Sequence, residues 1–365
     1  MILEEFDHEK QIIDQYLDQV SRQVTEQIAG EYGEKYVDVW SAFVAVLTRG
    51  GKRLRGVLAS FAYRAFGGQD ENTAREAAAI IELLHACLLV VDDVADQSDL
   101  RRGGPTAHRI LEKYHNQHTL KGDAHHYGKS QAVNVGLTGQ NLAFSRLADL
   151  KLDGEILVRA FKLLNDSLIK TGLGQIGDIN NEVFASDSEN DAMQVMQLKT
   201  AHYSFVMPFY FGATLAGAEI KNMQTFESYL VNIGIAFQIY DDVIGTFGDI
   251  DKTGKSNRDD IMEGKRTLLV VHALSHATPT SRQTIERALG NRQLADEEFV
   301  SAQDAIRDSG ALDYCLNRAK NLILEGKKSL ENNSVLSNTN RQMLLDVADY
   351  VASLPVSVQN DVQIH

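Results

Sequence analysis

Residues 79–108 read AIIELLHACLLVVDDVADQSDLRRGGPTAH. An apolar run with helical periodicity ends in Asp92, Asp93 and Asp96, and Arg101, Arg102 and a Gly-Gly-Pro turn follow. Asp92 and Asp96 stand at i and i+4, on one helix face, where like charges cost roughly 0.2–0.5 kcal/mol per pair. Carboxylates closing a core-like helix also lose hydration unless a cation compensates. A hard divalent cation is the simplest compensation, because Mg²⁺ takes oxygen ligands and keeps positions open for substrate phosphates. Arg101 and Arg102 suit the same reading, since guanidinium groups bind phosphate oxygens bidentately. The plain alternative is an exposed charged loop.

A second apolar helix, VNIGIAFQIY (231–240), ends in Asp241 and Asp242, and Lys255 and Lys265 follow. Two such helices facing each other would make a diphosphate site. An EF-hand over 249–260 fails on two counts: its eighth position is Ser256 rather than apolar, and its twelfth is Asp260 rather than Glu. A third group is TRGGKRLRGVLA, in which Gly50-Gly51 opens a helix whose free N–H groups favour an anion. Lys52 and Arg55 share a face there, and Arg53 after the Gly-Lys rules out a Walker A loop. His85 lies two helical turns before Asp92 on the same face, as a core residue or as an extra phosphate donor. The histidines at 115, 118, 125 and 126 have irregular spacing and no cysteine beside them, which speaks for a loop rather than a zinc site.

Helical periodicity runs through nearly the whole chain, and no segment alternates with period two for long enough to look like a strand. With only 4 Pro against 44% hydrophobic residues, residues 1–365 read as one all-α domain. The mostly apolar helices 79–91 and 203–217 are expected at its centre, ringed by amphipathic ones around a deep apolar cavity. Neither reaches the roughly 18–20 residues that span a bilayer. A net charge of −14 argues against nucleic acid or an anionic membrane as main partner. The start, MILEEFDHEKQ, lacks the apolar region of a signal peptide, and two cysteines are too few for a disulfide framework. A cytoplasmic, reduced setting is expected.

Six motifs in order resemble the all-trans polyprenyl diphosphate synthase family: GGKRLR, LLHACLLVVDDVADQSDLRRGGPTAH, GQIGDI, QLKTA, FQIYDDVIGTFGD, and DKTGK with EGKRT. The resemblance spans almost the entire chain. It implies a helical bundle of the isoprenoid synthase type and a Mg²⁺-dependent condensation of isopentenyl diphosphate with an allylic diphosphate. By the same resemblance, Asp92, Asp96 and Asp241 would hold two or three Mg²⁺ ions on the allylic diphosphate. Arg101, Lys199 and Lys255 would hold that diphosphate, while Lys52, Arg55, His85 and Arg102 would hold isopentenyl diphosphate. Thr200 and Gln238 would line the allylic cation, and Lys265 matches another basic residue near the phosphates. Gln175 and Asp178 match the family's Gln and Asp on a neighbouring helix. The family also implies a homodimer.

Departures from the family pattern are Gly245 where many members carry a third Asp, Val91 where many have His, and Gly139-Gln140 for a common Gly-Asp. In this family bulky aromatics four or five residues before the first Asp stop the product early. Leu88 and Cys87 stand there, so the product is expected to reach geranylgeranyl diphosphate or longer, with Leu84 a candidate floor. A terpene cyclase would not need Lys52, Arg55 and Arg102. A non-catalytic or partner-dependent subunit would tend to lose the acidic motifs, and both are kept here. A plain structural protein would leave the acidic clusters without a cause.

Overall fold

The computed structural model describes residues 2–248 and 257–354, with side chains from residue 6 onward. Lys255, like Asp249 and the rest of 249–256, lies outside the described residues. In chain order come α1 (Ile2–Tyr32), α2 (Glu34–Thr48), α3 (Leu54–Ala65), α4 (Glu71–Asp96), α5 (Ala107–Gln117), α6 (Ala124–Ala148) and α7 (Gly154–Val183). Next are α8 (Glu189–Val195), a π-helix (Met196–Val206), α9 (Met207–Leu215), α10 (Ile220–Gln224) and α11 (Glu227–Phe247). The remainder are α12 (Asp259–Glu263), α13 (Leu268–His276), α14 (Pro279–Ala288), α15 (Asp296–Asp308), α16 (Ala311–Leu330) and α17 (Asn338–Ser353). Extended structure among the described residues is one antiparallel pair, β1 (Leu100–Arg101) with β2 (Gly104–Pro105). The all-α expectation holds.

Local chemistry accounts for the boundaries that matter. The Asp70 carboxylate accepts from the N–H groups of Asn72 at 3.2 Å and Thr73 at 3.0 Å, which starts α4. The same helix ends at Gln97, whose φ of 58° is left-handed. The near-continuous helical periodicity is interrupted after α12, where Gly264 (φ 84°) turns the chain. Residues 189–215 are helical, with Met196–Val206 wound as a π-helix.

The chain divides into two compact units, one within 1–162 and 208–218, the other within 163–207 and 219–365. In the first unit α4 is central, packed by α1, α2, α3, α5 and α6. Ala74, Ala77, Ala78, Ile80, Ile81, Leu83 and Leu84 are buried there, and each large side chain contributes about 1.5–3 kcal/mol. Gly139 on α6 allows contact with α2, since a Cβ there would stand 2.2 Å from the Phe43 ring.

In the second unit α11 packs on α16 and on the π-helix. A Cβ at Gly234 would stand 2.6 Å from the Ala201 Cα, so glycine is what lets the π-helix and α11 touch. The two apolar segments are buried as expected, apart from Leu88, Leu89 and the exposed Val91 in one and Tyr210, Ala216 and Gly217 in the other.

Candidate active site

In the first unit the basic residues converge on one imidazole. His85, buried on α4, has its Nε2 at 3.3 Å from Arg55 Nη1 and 3.4 Å from Arg102 Nη2. Arginine can only donate, so His85 Nε2 accepts and the ring is neutral. Burial, then Arg55 and Arg102, hold its pKa well below the usual histidine range. In the chain as folded, Nε2 of His85 gathers these two guanidinium groups. Arg102 also donates from Nη1 to the Gly50 carbonyl. Gly51 (φ 131°) makes room, because a Cβ there would lie 2.7 Å from the Arg102 Cζ. Burial and then the neighbouring Arg53 bring the Arg102 pKa down to about 10. Lys52 is exposed beside this group. An anion would relieve the crowding of like charges.

Arg49 ties the β1–β2 hairpin to the same place. Its Nη1 donates to the carbonyls of Arg101 at 3.0 Å and Pro105 at 2.9 Å.

Asp92 and Asp96 are half-buried at the C-terminal end of α4, where the helix dipole adds to their mutual repulsion. Asp93 is different: it is fully buried, and Arg101 Nε donates to its Oδ1 at 2.5 Å. Arg101 Nη2 reaches Asp92 Oδ2 at 3.4 Å. Burial pushes the Asp93 carboxyl up to about 6, against the opposing pull of Arg101.

In the second unit the named side chains form two linked sets. Thr200 Oγ1, on the π-helix, donates to Gln238 Oε1 at 2.7 Å, and Gln238 Nε2 donates to Asp242 Oδ1 at 2.6 Å. Burial and then Asp260 hold the Asp242 carboxyl well above its ordinary range. Lys199 pairs with Asp178 at 2.7 Å, and Lys265 with Asp178 at 3.3 Å and Glu182 at 2.6 Å. Burial alone would raise the Asp178 carboxyl, but the two lysines outweigh it and hold it low. Gly174 on α7 permits this approach: a Cβ there would meet the Lys199 N at 2.6 Å. Asp241 is half-buried on the last turns of α11. A Cβ on Gly245 would stand 2.5 Å from Asp260 Oδ2, so the missing third Asp leaves space that another carboxylate fills.

The donors offered to a cation are hard oxygens, which suits Mg²⁺. Among the described residues no three His, Cys, Asp or Glu side chains converge as a ready-made metal cage. An ion held at Asp92 and Asp96 would complete its shell with substrate oxygens or water, the usual habit of Mg²⁺. The histidine-rich stretch lies at the end of α5 and the start of α6 rather than in one loop, with His115 and His118 on backbone carbonyls and His125 beside Glu112.

Sequence reasoning gave no site role to Arg49, Arg53, Glu82 or Asp93. Glu82 was the visible signal, as a carboxylate inside the mostly apolar run 79–91.

The sequence model of the Polyprenyl synthetase family matches residues 39–306, a span that runs through both units. The geranylgeranyl diphosphate synthase of Sulfolobus acidocaldarius is 32% identical over 338 residues, covering 92% of this chain and 97% of that one. The geranylfarnesyl diphosphate synthase of Aeropyrum pernix is 31% identical, covering 85% and 92%. A crystal structure of geranylgeranyl pyrophosphate synthase from Corynebacterium glutamicum, complexed with isoprenyl diphosphate and magnesium, superposes with a TM-score of 0.89. It is 30% identical and covers 94% of this chain and 98% of its own. The chain belongs to the polyprenyl synthetase family, with its all-α isoprenoid synthase fold. It is an enzyme, a trans-prenyltransferase. No helix among the described residues is long and apolar enough to cross a membrane.

Proposed function

We propose that this enzyme joins isopentenyl diphosphate to an allylic diphosphate (dimethylallyl, geranyl or farnesyl) and releases a trans-prenyl diphosphate of twenty carbons or more. The observation that carries this reading is the gathering of Arg55 and Arg102 on the neutral His85 ring, with Lys52 alongside. A second diphosphate site of that kind is what a chain-elongating enzyme needs and a cyclase does not. The acidic set, Asp92, Asp96 and Asp241, would hold Mg²⁺, two or three ions by family resemblance. When bound, the metal neutralises charge on the allylic diphosphate.

Arg101, Lys199, Lys255 and Lys265 add positive charge to that diphosphate as the allylic C–O bond breaks and the electron pair leaves with it. Thr200 and Gln238, already hydrogen-bonded to each other, line the cation with oxygen dipoles. The double bond of isopentenyl diphosphate then forms the new C–C bond, and the departing diphosphate takes the proton lost from the adjacent carbon. Water must be kept out, because it would quench the cation.

Leu88 and Cys87, neither aromatic, would let the product pass along α4, and the named relatives that make geranylgeranyl and geranylfarnesyl diphosphate support this range. A homodimer is supported by exposed apolar side chains on α7 at helical spacing, Ile169, Leu173 and Ile176, and on α6, Val133 and Leu137. Cys87 and Cys315 are buried free thiols, in keeping with a cytoplasmic setting.

The test is to incubate the protein with Mg²⁺, labelled isopentenyl diphosphate and each allylic primer, and to size the dephosphorylated products. Products of twenty carbons or more support the reading. A folded sample that elongates no primer overturns it.

A further inference from the structure

The run Lys52-Arg53-Leu54-Arg55 carries three cations that look alike in sequence, yet their surroundings differ sharply. Lys52 is exposed and Arg55 half-buried, whereas Arg53 is 3% exposed. Its guanidinium is spent on the protein: Nε donates to Asp14 Oδ1 at 2.7 Å, Nη1 to Glu82 Oε2 at 3.0 Å and Nη2 to the Leu47 carbonyl at 2.7 Å. The backbone of Arg53 is left-handed (φ 51°), and so are Gly50 (φ 87°) and Gly51 (φ 131°). Glycine adopts that shape freely, but arginine does so only when its surroundings enforce it. Three charge-assisted or backbone hydrogen bonds on one rigid fork supply the enforcement.

Glu82 completes the link. Its Oε1 accepts from the Gly56 N–H at 3.0 Å, one of the unpaired donors in the first turn of α3. Gly56 lets the helices close up, since a Cβ there would lie 3.1 Å from the Glu82 Cγ. Glu82 stands one helical turn before His85 on α4. Clipping the start of α3 to Glu82 therefore fixes the register in which Arg55 meets His85.

We propose that Arg53, through Asp14 and Glu82, is a positioning residue for the second diphosphate. It holds the Gly-Gly-Lys-Arg turn in the one shape that presents Lys52 and Arg55, and it touches no substrate itself. The inference rests on the reading that Lys52, Arg55, His85 and Arg102 take isopentenyl diphosphate.

The experiment compares R53K, which keeps the charge but cannot reach three partners at once, with Lys52→Ala and the parent enzyme. Far-ultraviolet circular dichroism and thermal melting first establish that R53K is folded at the assay temperature. The expected result is a KM for isopentenyl diphosphate raised about tenfold, with kcat and the KM for the allylic diphosphate within about twofold. A merely structural role would lower the melting temperature and leave the KM of the folded enzyme unchanged.

If R53K does not fold, E82Q takes its place. It keeps an acceptor for the Gly56 N–H and loses the ion pair, and the same two results are read from it. A folded variant with parental KM values, beside a Lys52→Ala enzyme that binds isopentenyl diphosphate weakly, overturns the positioning role and leaves the site standing. Parental KM values in both overturn the site assignment itself.

Discussion

Arg101 grips both members of the first acidic pair, with Nε 2.5 Å from Asp93 Oδ1 and Nη2 3.4 Å from Asp92 Oδ2. The two carboxylates are not equivalent. Asp93 is fully buried, while Asp92 is half-buried. Asp92→Ala is therefore expected to fold normally and to lose at least a factor of about 10²–10³ in turnover. Asp93→Ala leaves the half-buried Arg101 guanidinium without its closer partner and is expected to cost about 1–3 kcal/mol of stability. Melting curves and single-substrate kinetics on the two variants check this contrast. Equal melting temperatures, or an active Asp92→Ala enzyme, would sink it.

Gly245 is expected to resist the residue many relatives carry. Its Cβ would stand 2.5 Å from Asp260 Oδ2, and a third carboxylate would add to the burial and repulsion that already keep Asp242 protonated more readily than usual. Gly245→Asp should cost about 1–3 kcal/mol from overpacking alone. Gly245→Asp combined with Asp260→Gly should recover most of that loss in a thermal melt. A single variant as stable as the parent would show that the Asp260 carboxylate does not occupy this space.

Leu88, half-buried on α4 one turn before Asp92, stands where an aromatic would stop the product early under the proposed function. Leu88→Phe is expected to move the main product down to fifteen carbons with the family of primers unchanged. Product sizing after exhaustive reaction is the check, and an unchanged distribution places the floor elsewhere.

His108 gives the fold a specific acid sensitivity. Its Nδ1 lies 3.2 Å from Thr106 Oγ1, which itself donates to the Ser98 carbonyl at 2.9 Å, so Nδ1 carries the proton. Burial, then Arg109, lowers its pKa to about 4. The unfolded chain binds the proton first as pH falls, so stability drops between about 6.5 and 4, by up to about 3 kcal/mol. His108→Asn should flatten that part of a plot of melting temperature against pH. An identical slope in the variant would contradict the assignment.

Much of the fold was legible because α4 and α11 announce themselves: long apolar periods that stop at carboxylates. The π-helix was not, because Thr200–Val206 are buried without interruption, so no polar face marks the period of the winding. In the site, types and positions were legible but partners were not. Arg53 finds Asp14 and Glu82, which are distant in sequence, so nothing local separates it from Lys52 and Arg55. Arg101 reads as a phosphate ligand, and in the chain alone it closes on Asp92 and Asp93 instead. Asp178 gathers Lys199 and Lys265, a convergence of three separate segments that no single motif shows.

Under the proposed function the two diphosphates are bound by different chemistry, one through carboxylate-held Mg²⁺ and the other through the basic residues around His85. Calorimetric titration of isopentenyl diphosphate and of an unreactive allylic thiolodiphosphate, each in EDTA and in Mg²⁺, tests it directly. Isopentenyl diphosphate is expected to bind about equally in both buffers, while the allylic analogue binds only with Mg²⁺. Loss of isopentenyl diphosphate binding in EDTA, or metal-independent binding of the allylic analogue, would contradict it.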